Sequence, residues 1–153
     1  MEESIEIIDT ILNGMQIDKI DAAGASPLVL AYIGDAIYEV VIRTMVISES
    51  GAQVNKLHKM TSELVKAHAQ AEIMKSLELT EEEHAVFKRG RNAKSVTMAK
   101  NATMSDYRNA TGFEALMGYL YLSGRTERML ALIRQGVDSY RQQKGENGCS
   151  TKN

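Results

Sequence analysis

The feature that most constrains the fold of this chain is a long apolar run over residues 28–42, with one aspartate, Asp35, near its middle. Ser26 and Pro27 precede the run, and this pair is typical of a helix start, with serine as the N-cap and proline at the first helical position. The pattern predicts a helix that continues to about Ser48. Because nearly all of its faces are apolar, we expect it to be the central, buried helix.

A second apolar island, residues 111–122, contains one carboxylate, Glu114. A buried charge is unfavourable unless it is paired, so such a carboxylate usually has a cationic partner or binds a metal ion. Arg43 and Lys66 are candidate partners for Glu114 and Asp35. Two isolated carboxylates in apolar helices are also the pattern expected of a metal-dependent hydrolase, because hard oxygen ligands suit Mg²⁺ or Mn²⁺. The pattern leaves both explanations open.

The rest of the 153-residue chain is also typical of helices, since it has one proline and many good helix formers. Thr80 followed by Glu83 matches a capping box, and Gly14, Gly90 and Gly124 are natural stops. Periodicity and these signals predict five further helices, over about residues 4–14, 54–77, 80–90, 105–122 and 125–142. No segment shows the alternation of a strand, so we predict an all-α fold.

Composition argues against several classes of protein. The one cysteine, Cys149, allows no intramolecular disulfide, which suits a reducing cytoplasm. Asp35, Glu39 and Arg43 make a membrane span over residues 28–47 unfavourable, and the acidic N-terminus lacks the basic region of a signal peptide. We therefore expect a cytoplasmic protein with no membrane partner.

The overall charge of −2 does not suggest a nucleic-acid-binding protein, but the charge is unevenly distributed. Residues 1–21 carry six acids and one lysine, a net −5, so the rest of the chain carries +3. The positive excess lies in residues 88–108. Few aromatic residues are interleaved, which favours contact with the backbone of an RNA duplex over stacking on a single strand. The candidate RNA-binding residues are Lys88, Arg89, Arg91, Asn92, Lys94 and Ser95. A solvated loop and helix end is the alternative.

Two glycines lie close to the isolated carboxylates. Gly34 precedes Asp35 and lets a backbone or a substrate approach closely. Gly118 lies one turn after Glu114, where it allows another helix to pack tightly. We expect both to assist the site.

Two further acids are candidates for supporting roles. Glu39 lies one turn after Asp35 and either supports a metal site or pairs with Arg43. Glu72 lies in a stretch of small and polar residues and is either a third acid of the site or an exposed helical glutamate.

Three motifs together resemble a known family. Residues 30–36, LAYIGDA, resemble the signature helix of ribonuclease III catalytic domains. Residues 88–95, KRGRNAKS, and 111–120, TGFEALMGYL, are similar to the versions found in the Mini-ribonuclease III branch, which lacks the double-stranded-RNA-binding domain. The motifs have the order and spacing of the family. The resemblance implies a catalytic domain over residues 26–142, preceded by an N-terminal helical extension (1–25). The polar composition of residues 143–153 predicts a disordered tail.

The resemblance also implies roles for individual residues. Asp35 falls on the metal-binding aspartate, Glu114 on the metal-bridging glutamate, and Glu72 on a weaker supporting acid. Larger members of the family have further acids at the positions of three residues here, namely Leu28, Ala31 and Thr111. The resemblance thus implies fewer protein ligands to Mg²⁺ (or Mn²⁺), with weaker metal binding or more water ligands.

For the whole protein, the resemblance implies a homodimeric, all-α ribonuclease III endonuclease domain that cleaves double-stranded RNA. The family's usual substrate is the precursor of large-subunit (23S) ribosomal RNA, in some cases with help from a ribosomal protein. For the dimer interface we expect a stripe of apolar residues on the first long helix: Leu30, Ile33, Ile37 and Val40.

Three functions compete at this point. The first is a metal-dependent endoribonuclease, indicated by Asp35, Glu114 and the basic segment. The second is a non-catalytic RNA-binding or ribosome-assembly protein on the same fold, indicated by the missing acids. The third is a helical protein-interaction module, indicated by the negative net charge.

Overall fold

We describe a computed structural model of the chain, in which residues 6–94 and 103–150 are described, with side chains to residue 145. All regular secondary structure in these ranges is α-helical, which confirms the predicted fold class. The helices are α1 (Ile7–Met15), α2 (Pro27–Glu49), α3 (Val54–Val65), α4 (Ala67–Lys75), α5 (Glu81–Asn92), α6 (Met104–Leu122) and α7 (Thr126–Ser150). None of them is long and apolar enough to cross a membrane.

The centre of the fold is the contact between α2 and α6, around which the other helices pack. Almost every residue of α6 from Ala110 to Tyr121 is buried, and α4, α5 and α7 all pack against this helix. The ring of Phe113 on α6 meets that of Tyr38 on α2 edge to face, with centroids 5.1 Å apart. This geometry is favourable for aromatic pairs, and it fixes the two helices directly beside Asp35 and Glu114.

The predicted helix starts at Ser26 and Thr80 are confirmed. Ser26 Oγ accepts a hydrogen bond from the Val29 amide at 3.3 Å. At α5, the Thr80 hydroxyl accepts from the Glu83 amide, while the Glu83 carboxylate accepts from the Thr80 amide at 2.9 Å. Each interaction satisfies backbone donors that the first turn of a helix leaves free.

The single helix predicted over residues 54–77 is wrong, because the helix is interrupted at Lys66, whose backbone is extended. The break frees carbonyl groups at the end of α3. One of them, that of Leu64, accepts a 2.6 Å hydrogen bond from the buried hydroxyl of Tyr38. A contact between residues 26 positions apart therefore satisfies the end of α3, and no local signal predicts it.

Gly90 does not end α5, which continues to Asn92. A Cβ at Gly90 would lie 2.7 Å from that of Ala115 and 2.9 Å from the Cα of Gly112. The glycine thus allows α5 to lie against α6. The end of the helix predicted over residues 80–90 is therefore wrong by two residues, because Arg91 and Asn92 belong to α5.

The two ends of the chain also differ from the predicted boundaries. Gly14 lies inside α1, and Gln16, in the left-handed conformation (φ 54°), ends that helix. The last helix continues to Ser150 and not to residue 142. Lys144 fixes its first added turn, since its amine lies 2.9 Å from the Glu63 carboxylate and 5.1 Å from the centroid of the Tyr140 ring.

Candidate active site

Two glycines form the crossing of α2 and α6 and so bring the isolated carboxylates together. A Cβ on Gly34 would lie 1.7 Å from the backbone oxygen of Glu114, and a Cβ on Gly118 would lie 1.9 Å from that of Leu30. No other residue type fits such distances. The prediction that both glycines permit close helix packing is therefore confirmed. Because Asp35 follows Gly34 and Glu114 supplies the contacted carbonyl, the crossing places these two acids side by side.

The two carboxylates differ in exposure but are perturbed in the same direction. Burial, followed by the charge of Asp35, raises the pKa of Glu114 to about 8. Asp35 is more exposed, and burial followed by the charge of Glu39 raises its pKa as well. A raised pKa means that the fold disfavours the charged form, which is the behaviour of acids that lack a cation. Perturbed acids of this kind concentrate at functional sites.

The alternative of buried ion pairs is wrong for the two partners proposed. The Arg43 guanidinium lies 3.4 Å from Glu39, and the Lys66 amine lies 3.1 Å from Glu63. In the part of the chain that the structure describes, neither Asp35 nor Glu114 forms an ion pair. The two acids therefore face each other without a compensating positive charge.

Sequence analysis missed Gln70, which lies on the buried face of α4 and is 1% exposed. Its amide is close enough to Glu114 to lower the pKa of that acid, partly offsetting the effect of burial. Neither the nitrogen nor the oxygen of the amide has a hydrogen-bond partner within the described ranges. A buried polar group left unpaired costs about 1–3 kcal/mol, so such groups are rare and need an explanation. Its signal in the sequence is a glutamine within an otherwise apolar helix face, among Ala69, Ala71 and Ile73.

Glu72 is not brought into this site by any described interaction. Its carboxylate accepts a hydrogen bond from Lys75 at 2.9 Å on its own helix. Its charge is not among the causes of the pKa shifts of Asp35 and Glu114. Glu39 pairs with Arg43 at 3.4 Å, and its negative charge also raises the pKa of Asp35.

The positions where larger family members have additional acids supply no ligands here. Thr111 donates its hydroxyl hydrogen to the carbonyl of Tyr107 at 3.0 Å, and Ala31 is buried in the core. Among the described residues there is no group of three or more acids, histidines or cysteines able to hold a metal ion. The site thus offers two carboxylates and one amide.

The basic segment is divided between two faces of α5. Lys88 lines a cavity of about 650 Å³ between α4, α5 and α6, which is lined mainly by apolar groups such as Met74 and Phe87. Arg89 reaches the carbonyl of Ala25 at 3.4 Å, so part of its hydrogen-bonding capacity is used within the fold. Lys94 is exposed, and Ser95 lies outside the described residues.

Arg91 and Asn92 line a second cavity of about 280 Å³ together with three residues of α6, namely Ser105, Arg108 and Asn109. The Arg91 guanidinium lies 5.6 Å from the centroid of the Phe87 ring, which holds it at the rim. Two guanidinium groups with amides and a hydroxyl are groups that contact phosphate. The α6 residues join this cluster because α5 packs against α6, which local periodicity does not predict.

Comparison with known proteins decides the family. A family profile for the Ribonuclease III domain matches residues 28–125. The chain belongs to the ribonuclease III family. It is 50% identical over 140 residues to a Mini-ribonuclease 3 of Clostridium tetani, covering 88% of this chain and 93% of that protein. It is 53% identical over 110 residues to one of Enterococcus faecalis, covering 69% and 83%.

A solved structure agrees with this assignment. The crystal structure of protein FN1578 from Fusobacterium nucleatum is similar with a TM-score of 0.71 and 32% sequence identity, over 80% of this chain and 98% of that one. The predicted resemblance and enzyme class are therefore confirmed, and the chain is an endoribonuclease of this family. An RNA substrate follows from the same membership.

Ribonucleases of this family generally use a divalent metal, and the residues at the α2–α6 crossing fit one. Two carboxylates without a cation supply hard oxygen ligands and negative charge, which a divalent cation would neutralise. The unpaired amide of Gln70 supplies a further donor and acceptor beside them. A bound divalent cation would activate water and stabilise the leaving oxygen of the phosphodiester.

Proposed function

We propose that this protein is a Mg²⁺-dependent endoribonuclease that cleaves double-stranded RNA, with Mn²⁺ as a substitute. Asp35 and Glu114 hold the cation. The observation that carries the proposal is that these two acids lie side by side at a crossing that only glycine permits, without an ion-pair partner in the described structure. A fold gains no stability from such an arrangement, so a role in chemistry accounts for it.

The chain's own residues perform three tasks in this proposal. Gly34 and Gly118 hold the acids at a fixed separation. Glu39 adds negative charge beside Asp35, which strengthens attraction for a cation. Glu72, which pairs with Lys75 on its own helix, is a weaker candidate for a third acid of the site.

For the substrate we propose an RNA duplex whose phosphates contact the basic residues of α5 and the segment after it. Arg91 and Asn92 form one contact area with Arg108 and Asn109. The other proposed contacts are Lys88, Arg89, Lys94 and Ser95. We further propose that the natural substrate is the precursor of large-subunit ribosomal RNA in the cytoplasm, with a ribosomal protein as a helper.

We also propose that the protein acts as a homodimer through α2. The predicted interface stripe needs correction, because Leu30 and Ile37 are buried within the subunit and Ile33 packs against its core. Among the apolar residues that α2 leaves exposed, four lie together on a neighbouring face: Val29, Tyr32, Val40 and Ile47. A row of exposed apolar side chains of this kind is typical of an interface.

The experiment is cleavage of a long RNA duplex in Mg²⁺ and in Mn²⁺ by the wild type and by Asp35→Asn and Glu114→Gln. Each variant keeps the size of the side chain and removes the charge. We expect each to lower the cleavage rate by about 10³-fold or more, because charge at a catalytic metal site is worth several kcal/mol. The matched controls are Asp138→Asn and Glu127→Gln, exposed acids of α7, which should cleave at the wild-type rate.

The outcomes separate the parts of the proposal. Wild-type rates in both site variants would overturn the assignment of Asp35 and Glu114. Cleavage of a single strand in preference to the duplex would overturn the substrate class. Equilibrium sedimentation of a single-subunit species at working concentration would overturn the dimer.

A second candidate, a non-catalytic RNA-binding protein on the same fold, is favoured by one observation. The positions of Leu28, Ala31 and Thr111 supply no acid, so the site has only two carboxylates in the described structure. Binding of the duplex without cleavage in either metal would support this alternative.

A further inference from the structure

The amide of Gln70 is buried with little hydrogen bonding from the rest of the fold. It is 1% exposed on a helix whose other buried residues are all apolar. Both amide atoms are sealed from solvent, and neither makes a hydrogen bond of ordinary geometry to a described residue, although the amide approaches Glu114 closely enough to lower the pKa of that acid. An apolar residue of the same length would fill this space without leaving a donor and an acceptor unpaired. The fold alone would therefore favour methionine or leucine here.

The position of Gln70 indicates what the amide is for. Helix α4 packs against α6, and Gln70 lies on the face that meets Glu114. Glu114 also meets α2, whose Gly34 contacts the Glu114 backbone and whose Asp35 raises the pKa of Glu114. The amide of Gln70 therefore lies beside the two acids that hold the cation in the proposed function.

We propose that Gln70 is a positioning residue of the cation site, an inference that rests on the proposed function. With a cation bound, the amide nitrogen would donate a hydrogen bond to the ionised Glu114 carboxylate, and the amide oxygen would accept one from a water ligand. This arrangement pairs both atoms that are unpaired without the cation. It also gives a site with two protein carboxylates a third group that fixes the orientation of its ligands.

The test compares Gln70→Met with the wild type in two measurements. The first is the thermal midpoint, followed by circular dichroism without divalent cation and over a titration with Mn²⁺ alone or Mg²⁺ alone. The second is the Mg²⁺ concentration that gives half-maximal cleavage of an RNA duplex. Gln70→Leu is the second variant if the methionine variant does not fold. Met74→Leu is the matched control, since Met74 is buried one turn later on α4.

We expect Gln70→Met without divalent cation to unfold at the wild-type temperature or higher, because the unpaired amide is gone. Its stabilisation by Mn²⁺ should shift to concentrations about 10- to 100-fold higher, and so should the Mg²⁺ dependence of cleavage. Met74→Leu should show the wild-type dependence on both cations. A residue with a purely structural role would lower the metal-free midpoint and leave the cation dependence unchanged.

The results distinguish this inference from the proposed function. A wild-type cation dependence in Gln70→Met or Gln70→Leu, while the wild type is cleaving and cation-stabilised, would overturn the role of Gln70 alone. A lower metal-free midpoint with unchanged cation dependence would do the same. A wild-type protein that no divalent cation stabilises or activates would overturn the proposed function, and this inference with it.

Discussion

Two glutamates, Glu83 on α5 and Glu114 on α6, are both largely removed from solvent, yet the fold treats them in opposite ways. Glu83 is 2% exposed and accepts hydrogen bonds at 2.8 Å from two nitrogens of Arg128 and at 2.9 Å from the Thr80 amide. The Arg128 hydrogen bond, with those from Thr80, lowers its pKa to about 2. Burial and the nearby Asp35 raise the pKa of Glu114 to about 8.

Under the proposed function, this difference separates a structural carboxylate from a functional one in the same molecule. A carboxylate that holds helices together has its lone pairs satisfied by donors that the fold itself supplies. A carboxylate reserved for a ligand is left without them, and the fold is less stable for it. Burial alone does not distinguish the two, because both side chains are in helices and both contact the core.

The largest loss of stability and of activity should come from Gly34→Ala, which disrupts the helix crossing that holds Glu114 beside Asp35. The added Cβ would lie 1.7 Å from a backbone oxygen, which cannot move without separating α2 from α6. We expect a loss of about 3 kcal/mol or more in the free energy of unfolding, together with loss of cleavage. Urea unfolding measures the first. Gly14→Ala, where nothing lies within 4 Å, is the control and should not destabilise. Near-wild-type stability in Gly34→Ala would mean that the helices do not touch there.

Glu83→Gln should cause a smaller loss in the free energy of unfolding, because it removes the charge of the carboxylate that pairs with Arg128. The side chain of Arg128 is 40% exposed, which reduces the usual loss for a buried ion pair to about 2–3 kcal/mol at neutral pH. Because the folded pKa is lowered from 4.5 to about 2, this stabilisation is present above pH 4.5 and disappears as the pH falls towards 2. The two proteins should therefore converge in stability in acid, as followed by urea unfolding at several pH values.

Cleavage by folded Glu83→Gln should equal that of the wild type, since neither Glu83 nor Arg128 is among the charges that shift the pKa of Asp35 or of Glu114. The neighbouring Glu82→Gln is the control, as Glu82 pairs with Arg125 at the surface, and its effect should be smaller. A stability difference that does not change between pH 6 and pH 2 would contradict the assignment of the lowered pKa to Glu83.

The smallest effect should come from Glu114→Gln, measured by urea unfolding without divalent cation. The carboxyl of Glu114 should contribute to stability with a pH dependence opposite to that expected at Glu83. A folded pKa of about 8, against 4.5 in the unfolded chain, means that the folded state retains a proton that the unfolded state has lost. The contribution of Glu114 to stability should thus be greatest below pH 4.5 and decrease as the pH rises to about 8, so that the wild type loses stability over this range relative to Glu114→Gln. Because the Glu114 side chain retains some contact with solvent, we expect a difference of about 1–2 kcal/mol at pH 8. Parallel curves for the two proteins would contradict a raised pKa at Glu114.

The elements of the fold that could be predicted from the sequence are those governed by neighbouring residues. The starts of α2 and α5 could be predicted because an N-cap forms its hydrogen bonds with residues no more than four positions away. The residues concerned are Ser26 and Pro27 at α2, and Thr80 and Glu83 at α5. The isolated position of Asp35 within its apolar helix could likewise be read directly, as could the small residue beside it. The break at Lys66 could not, because the hydrogen bond that satisfies it comes from Tyr38, on another helix.

The sequence by itself determined that the chain is helical, that Asp35 and Glu114 are the exceptional acids, and which family the protein belongs to. Only the tertiary structure decided which polar groups have partners. It pairs Arg43 with Glu39, Lys75 with Glu72 and Arg128 with Glu83. The amide of Gln70, in contrast, makes no hydrogen bond of ordinary geometry. The physical reason is that periodicity and capping are local, whereas the satisfaction of a charge or an amide depends on groups that reach it from distant parts of the chain.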